Sequence, residues 1–225
     1  MEQKQVWLLV LLLLNLCLAG VLSSRHMYEK AHVDTGIEGK EEKRIALTFD
    51  DGPHPTYTKQ LLDGLKERGV KATFFLIGTN VEGQEALVER MSEEGHLIGG
   101  HTYRHVELTK IPIEVACEEI ERTNRMIEKI IEKQVLYIRP PYGLWSKELE
   151  TLINQTFVLW DVDPADWKGQ SADLIITSVM NCVKEGDIIL LHDVYETSIQ
   201  AALGIVDRLQ EKGYTFVTVD EILLD

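Results

Sequence analysis

The sequence predicts an α/β fold: a parallel sheet of roughly seven or eight strands, rolled toward a barrel, with helices outside. Three observations predict it. From Arg44 onward, short apolar runs alternate with amphipathic helical stretches, the pattern of strand–helix–strand units. The number of strands suits a barrel better than an open sheet. Each of five polar clusters falls directly after a predicted strand, where parallel barrels carry their functional residues.

In order, residues 45–49 (IALTF) read as a buried strand, and residues 58–68 as a helix closed by Gly69. Residues 72–77 (ATFFLI) give a second strand. Residues 84–94 give a helix with Leu87, Val88 and Met91 on one face, ended by Gly95, and residues 96–99 a short strand. The clearest helix spans 113–133, with Ala116, Ile120, Ile127 and Ile130 at helical spacing. Strands follow at 135–138, 157–160, 188–191 and 216–219. Helices are expected at 147–153, 172–184 and 198–212, and residues 221–224 follow the last strand.

The chain of 225 residues carries a formal net charge of −14. That balance excludes a nucleic-acid binder, which needs clustered basic charge, and argues against electrostatic capture by an anionic membrane or wall polymer. At 44% hydrophobic and 27% charged, the composition is that of a folded soluble domain. Residues 6–22 (VWLLVLLLLNLCLAGVL) form an apolar run, read as an export signal that is either cleaved near Ser23 or kept as a membrane anchor. The expected organisation is therefore a signal or anchor over 1–24, a linker over 25–43 and a catalytic domain over 44–225, placed outside the cytoplasm. Cys117 and Cys182 lack Cys-x-x-Cys partners; they read as small buried apolar residues, with a disulfide as the alternative.

Asp50 and Asp51 end the first strand. Adjacent carboxylates repel unless a cation or a proton separates their roles, so one suits a metal and the other a base; the same pair also suits a helix cap or an Asx turn. His101 and His105, four apart, share one face if they lie on a helical turn. With Asp51 they make two imidazoles and a carboxylate, the ligand set of a catalytic zinc site; another borderline divalent ion also fits. Arg139 starts a proline-stiffened loop, Arg-Pro-Pro-Tyr-Gly, and if buried needs a carboxylate. Asp163, Asp166 and Trp167 follow the strand at 157–160, and His192-Asp193 the strand at 188–191.

Five segments, Thr48-Phe-Asp-Asp-Gly-Pro53, His101-Thr-x-x-His105, Arg139-Pro-Pro-Tyr-Gly143, Asp163-x-x-Asp166-Trp167 and Leu190-x-His192, resemble in order the motifs of the NodB-type polysaccharide deacetylases, carbohydrate esterase family 4. The resemblance covers Arg44 to the C-terminus. It implies a distorted (β/α) barrel with about seven parallel strands, and a hydrolase that removes N-acetyl groups from a glycan polymer, peptidoglycan or a chitin-like chain. It implies Asp51, His101 and His105 as ligands of one divalent ion, with zinc expected and cobalt, manganese, iron or nickel as alternatives. Asp50 is implied as general base, oriented by Arg139, and His192 as general acid, tuned by Asp166. The Tyr142 amide is implied as oxyanion donor, and Trp167 and Leu190 as walls for the acetyl methyl. Gly100 stands where the family usually has Asn, and Val106 where Pro is common; His54 and His96 match no catalytic position and read as structural or rim residues. O-acetyl ester or cyclic amide hydrolysis on the same fold, and a non-catalytic wall protein, are the competing readings.

Overall fold

The structure, a computed structural model, describes residues 43–224. The apolar run at 6–22 and nearly all of the linker lie outside the described residues. Among the described residues no helix is long and apolar enough to cross a membrane.

The first strand, β1 (Lys43–Asp50), leads into helix α1 (Tyr57–Glu67), β2 (Thr73–Leu76), the single turn α2 (Gly78–Val81), α3 (Glu85–Glu93) and β3 (Leu97–Gly100). Helix α4 (Ile113–Ile131), β4 (Tyr137–Ile138), α5 (Lys147–Leu152) and β5 (Thr156–Phe157) follow. Then come α6 (Ala172–Cys182), β6 (Ile188–His192), α7 (Glu196–Glu211), β7 (Tyr214–Val217) and α8 (Val219–Leu223). The sheet has seven strands in the order β5-β4-β3-β2-β1-β6, with β7 also paired to β1, and the pairings are parallel. The expected α/β architecture and strand number are those observed.

β1 is central because its two ends serve different neighbours: Lys43–Ala46 pairs with β7 and Ala46–Asp50 with β6. Its side chains alternate as a strand requires. Ile45, Leu47 and Phe49 join the large core under α1 and α7, with Leu61, Leu65, Val206 and Leu209. Ala46, Thr48 and Asp50 occupy the alternate positions, and Ala46 packs in a small cluster with Phe75, Val158, Ile188 and Val219. The register sets Asp50 beside Phe75 of β2 and His192 of β6. Two polar strand ends are thus brought together by pairing alone.

Two expectations are corrected. The strand expected at 157–160 is only Thr156–Phe157. Beyond it the carbonyls of Val158 and Leu159 accept hydrogen bonds from the Arg139 guanidinium instead of a neighbouring strand, at 3.3 and 3.0 Å. The chain then crosses to β6 through the Val162–Ile189 bridge. His101 to His105 is not a helical turn but an irregular loop, with Thr102 and His105 both at positive φ (63° and 54°). The cysteine reading is corrected as well: both are free, Cys117 half-buried and Cys182 exposed.

Candidate active site

The ends of β1, β3 and β6, with the loops after β4 and β5, surround a pocket of about 410 Å³. Asp50, Asp51, His101, His105, Tyr142, Trp160, Asp163, Trp167, Leu190 and His192 line it. Eight of the ten residues assigned roles from the sequence are in that lining; the other two, Arg139 and Asp166, lie behind it, each bonded to a lining residue.

Arg139 is fully buried. Its Nη1 donates to Asp50 Oδ1 at 2.8 Å and to Thr48 Oγ1 at 2.7 Å, and its guanidinium carbon sits 4.2 Å from the centre of the Phe75 ring. Burial pulls the guanidinium down from its usual range, and the Asp50 charge opposes that. A buried cation is tolerable because it is paired and its other donors reach carbonyls. Arg139 thus bonds both Asp50 and Thr48 of β1 from behind the pocket.

Asp51, His101 and His105 offer three ligand atoms that lie within 4.8 Å of one another. Asp51 Oδ1 is 3.4 Å from Nε2 of both histidines. The tautomer of His101 follows from its other nitrogen: Nδ1 is 2.6 Å from the Arg139 carbonyl oxygen, which can only accept, so Nδ1 carries the proton. That leaves the Nε2 lone pair facing Asp51. Asp51 Oδ1 is itself buried without a hydrogen-bond partner. Two ring nitrogens and a carboxylate oxygen converging on one point fit a divalent cation, and the carbonyl behind His101 is the outer-shell support that metal-binding histidines use. Burial pushes the Asp51 carboxyl up, but His101, His105 and His192 outweigh it and hold it below the usual carboxylate range. Burial and then the neighbouring His101 lower His105, against the pull of Asp51 and Asp50, which favours the neutral, ligating form.

On the other wall, His192 Nδ1 lies 2.8 Å from Asp166 Oδ1. Asp166 is buried and accepts from the His192 amide (2.9 Å), the Trp167 amide (3.0 Å) and Ser198 Oγ (2.6 Å). Burial lowers the imidazole's affinity for protons, but the Asp166 bond and charge, with Asp50 and Asp51 beyond, push it up to about 9. Leu190 is buried in the pocket wall, and Trp167 is half exposed at the mouth. Tyr142, at φ 61° in a 3-10 turn (Pro141–Gly143), sets its ring edge-on to His105 at 5.1 Å.

Sequence reasoning missed several contributors. Trp160 lines the pocket from a segment expected to be strand, and Asp163 lines it without a role having been assigned. Ser198, expected only to begin a helix, braces Asp166. The departure at Gly100 has a structural counterpart: a Cβ there would lie 2.5 Å from Asn124 Oδ1, so a carboxamide from α4 fills that space. His96 is structural as expected, its Nδ1 accepting from the Ala72 amide at 3.1 Å. His54 Nδ1 likewise accepts from the Thr56 and Tyr57 amides, at 3.2 Å each.

A family model described as polysaccharide deacetylase matches residues 38–157, more than half of the chain. The chain belongs to the polysaccharide deacetylase family. Within that family it is 42% identical over 181 residues to the Bacillus subtilis peptidoglycan-N-acetylmuramic acid deacetylase PdaC, covering 80% of this chain and 39% of PdaC. It is 35% identical over 205 residues to the Listeria monocytogenes peptidoglycan-N-acetylglucosamine deacetylase PgdA, covering 91% of this chain and 44% of that protein. The chain therefore spans less than half the length of these two relatives. The solved structure of PdaC superposes with a TM-score of 0.79 over 81% of this chain and 90% of that one, at 42% identity. A family 4 acetyl xylan esterase from Clostridium thermocellum, solved with a cobalt ion, superposes with a TM-score of 0.76 at 34% identity, covering 81% and 91%. The parallel-stranded deacetylase fold is thus that of this chain.

Proposed function

We propose that this polysaccharide deacetylase family member is a cation-dependent hydrolase that removes N-acetyl groups from sugars of a polysaccharide, with peptidoglycan as the substrate class. One observation carries the reading: two separate proton-handling pairs, Asp50–Arg139 and His192–Asp166, face the same pocket as the Asp51–His101–His105 cluster. Amide hydrolysis needs a base for the attacking water and a different acid for the departing amine.

Asp51, His101 and His105 would hold the ion, zinc in this reading. A bound divalent ion would supply Lewis acidity, making water markedly more acidic and offsetting charge on the acetyl oxygen. Asp50 takes the proton of the attacking water, and the Arg139 hydrogen bond aims its carboxylate at the pocket. The Tyr142 amide donates to the acetyl oxygen as negative charge develops there. His192, protonated below about pH 9, gives its proton to the sugar nitrogen as the C–N bond breaks. Trp167 and Leu190 enclose the methyl group and exclude water from it.

The names of the relatives support peptidoglycan as the polymer, and both N-acetylmuramic acid and N-acetylglucosamine occur in those names. The charge of −14 makes recognition through the pocket, rather than attraction to an anionic wall, the basis of binding. Residues 1–24 act in this reading as export signal or membrane anchor and 25–43 as the linker to the domain at 44–225, which places the activity outside the cytoplasm. An O-acetyl esterase is the second reading, supported by the resemblance to the xylan esterase. The acid at His192 favours the amide, because an amine leaves poorly without a proton and an alcohol needs one less.

The test strips the chain with a chelator, restores zinc, and measures acetate release from peptidoglycan, N-acetylglucosamine oligomers and acetylated xylan. Zinc-dependent release from the two amide substrates is expected. Release from xylan alone would replace this reading with the esterase.

A further inference from the structure

We propose that Asp193, acting with Thr58, is a positioning residue that holds Asp51 in its cation-binding posture. The inference rests on reading Asp51, His101 and His105 as a cation site.

Asp51 has φ 73°, in the left-handed region, without being glycine. Such a backbone is strained for a side-chain-bearing residue and persists only where the surroundings enforce it. One side of the enforcement is plain. Asn80 Nδ2 donates to the Asp51 carbonyl at 2.7 Å, and the Ile77 amide donates to the Gly52 carbonyl at 3.0 Å. Something must press from the opposite side.

Asp193 is there. It is fully buried and takes no part in the pocket lining. Its carboxyl lies against Gly52, so closely that a Cβ on Gly52 would be 2.7 Å from Asp193 Cγ and nearer still to both oxygens. Thr58 Oγ1 donates to Asp193 Oδ2 and accepts from the His54 amide at 2.7 Å, while the Thr58 amide donates to the His54 carbonyl at 3.2 Å. The Asp193 amide in turn reaches the Asp50 carbonyl at 3.4 Å. Residues 50–58 are thus gripped at both ends by one residue of the β6 end, with Gly52 seated on its carboxyl. Burying a carboxyl is costly, and Oδ1 has no hydrogen-bond partner among the described residues. An apolar residue would fill the same space more cheaply, so the hydrogen-bond geometry is what the position supplies.

Zinc affinity of the purified full-length chain, measured by competition with a chromophoric chelator, tests this alongside the thermal midpoint of the metal-free protein. Asp193→Ala and Thr58→Val should each weaken zinc binding by about 10–100-fold, the range for outer-shell supports. Asp193→Asn, which keeps an acceptor oxygen for Thr58, should recover most of the loss. Gly52→Ala should also weaken binding, by forcing the carboxyl aside. In the double variant Gly52→Ala/Asp193→Ala that clash is gone, so it should bind no worse than Asp193→Ala alone. A lowered midpoint with unchanged affinity in Asp193→Ala would reduce Asp193 to packing and overturn the proposal. Additive losses in the double variant would also overturn it. If Asp193→Ala does not fold, Thr58→Val decides: unchanged affinity overturns the proposal. Failure of the deacetylase reading would look different, as a chain that binds zinc normally and releases no acetate.

Discussion

Two carboxylates serve one pocket, and each is bonded to a basic side chain. Asp50 pairs with Arg139, in a fully buried contact whose cation stays charged at any working pH. Asp166 pairs with His192, whose imidazole reaches the pocket surface and whose proton leaves near pH 9. In the first pair the carboxylate faces the pocket and the cation is behind it. In the second the order is reversed. In the proposed function the difference divides the work: the pair with the fixed charge presents the proton acceptor, and the pair with the titrating charge presents the proton donor.

Asp50→Asn should break the acceptor side most severely. Turnover is expected to fall about 10³-fold or more while zinc still binds, read by acetate release and zinc titration. A wild-type rate would remove Asp50 from the base role. Arg139→Met should destabilise rather than merely slow the enzyme, because it strands Asp50 as an unpaired buried charge. A loss of about 3–5 kcal/mol in urea unfolding is expected. On the donor side, Asp166→Asn keeps the hydrogen-bond shape but removes the charge that raises His192. The alkaline limb of the kcat/KM profile, set near pH 9 in the parent, should move to lower pH, with a rate loss of about 10–100-fold at pH 8. An unmoved limb would mean that another group sets it.

The smallest effect concerns stability. His192 has a folded pKa of about 9, above the ordinary value of 6.5, so its contribution is complete below pH 6.5 and is lost as the pH rises through 9. The gap in thermal midpoint between the parent and His192→Gln should therefore be widest near pH 6 and close by pH 10.

How much of this was legible in the sequence differs between elements. The strand at 45–49 was readable because a strand in the middle of a parallel sheet is apolar on both faces, and its end at Asp50 marked the site. The five polar clusters were readable because strand ends are where a barrel places chemistry. The loop from His101 to His105 was not, because spacing by four suggests a helix while Thr102 and His105 take left-handed backbone that no local pattern announces. The strand at 157–160 was cut short by Arg139, a residue about 20 positions earlier that takes its carbonyls. The braces at Ser198 and Thr58 act across 32 and 135 positions of sequence, and a serine or threonine opening a helix looks the same whether or not it does so.

Arg139 serves the site twice, through different atoms: the guanidinium reaches Asp50, and the peptide carbonyl fixes the proton of His101. A gene can alter the first and never the second, since every replacement at this codon keeps a carbonyl. In the proposed function, ion binding and turnover are therefore separable by drift at a single position. A descendant that lost the guanidinium, with the core repacked around the gap, would keep a loaded histidine pair and no aimed base, an inheritance suited to recognition rather than reaction.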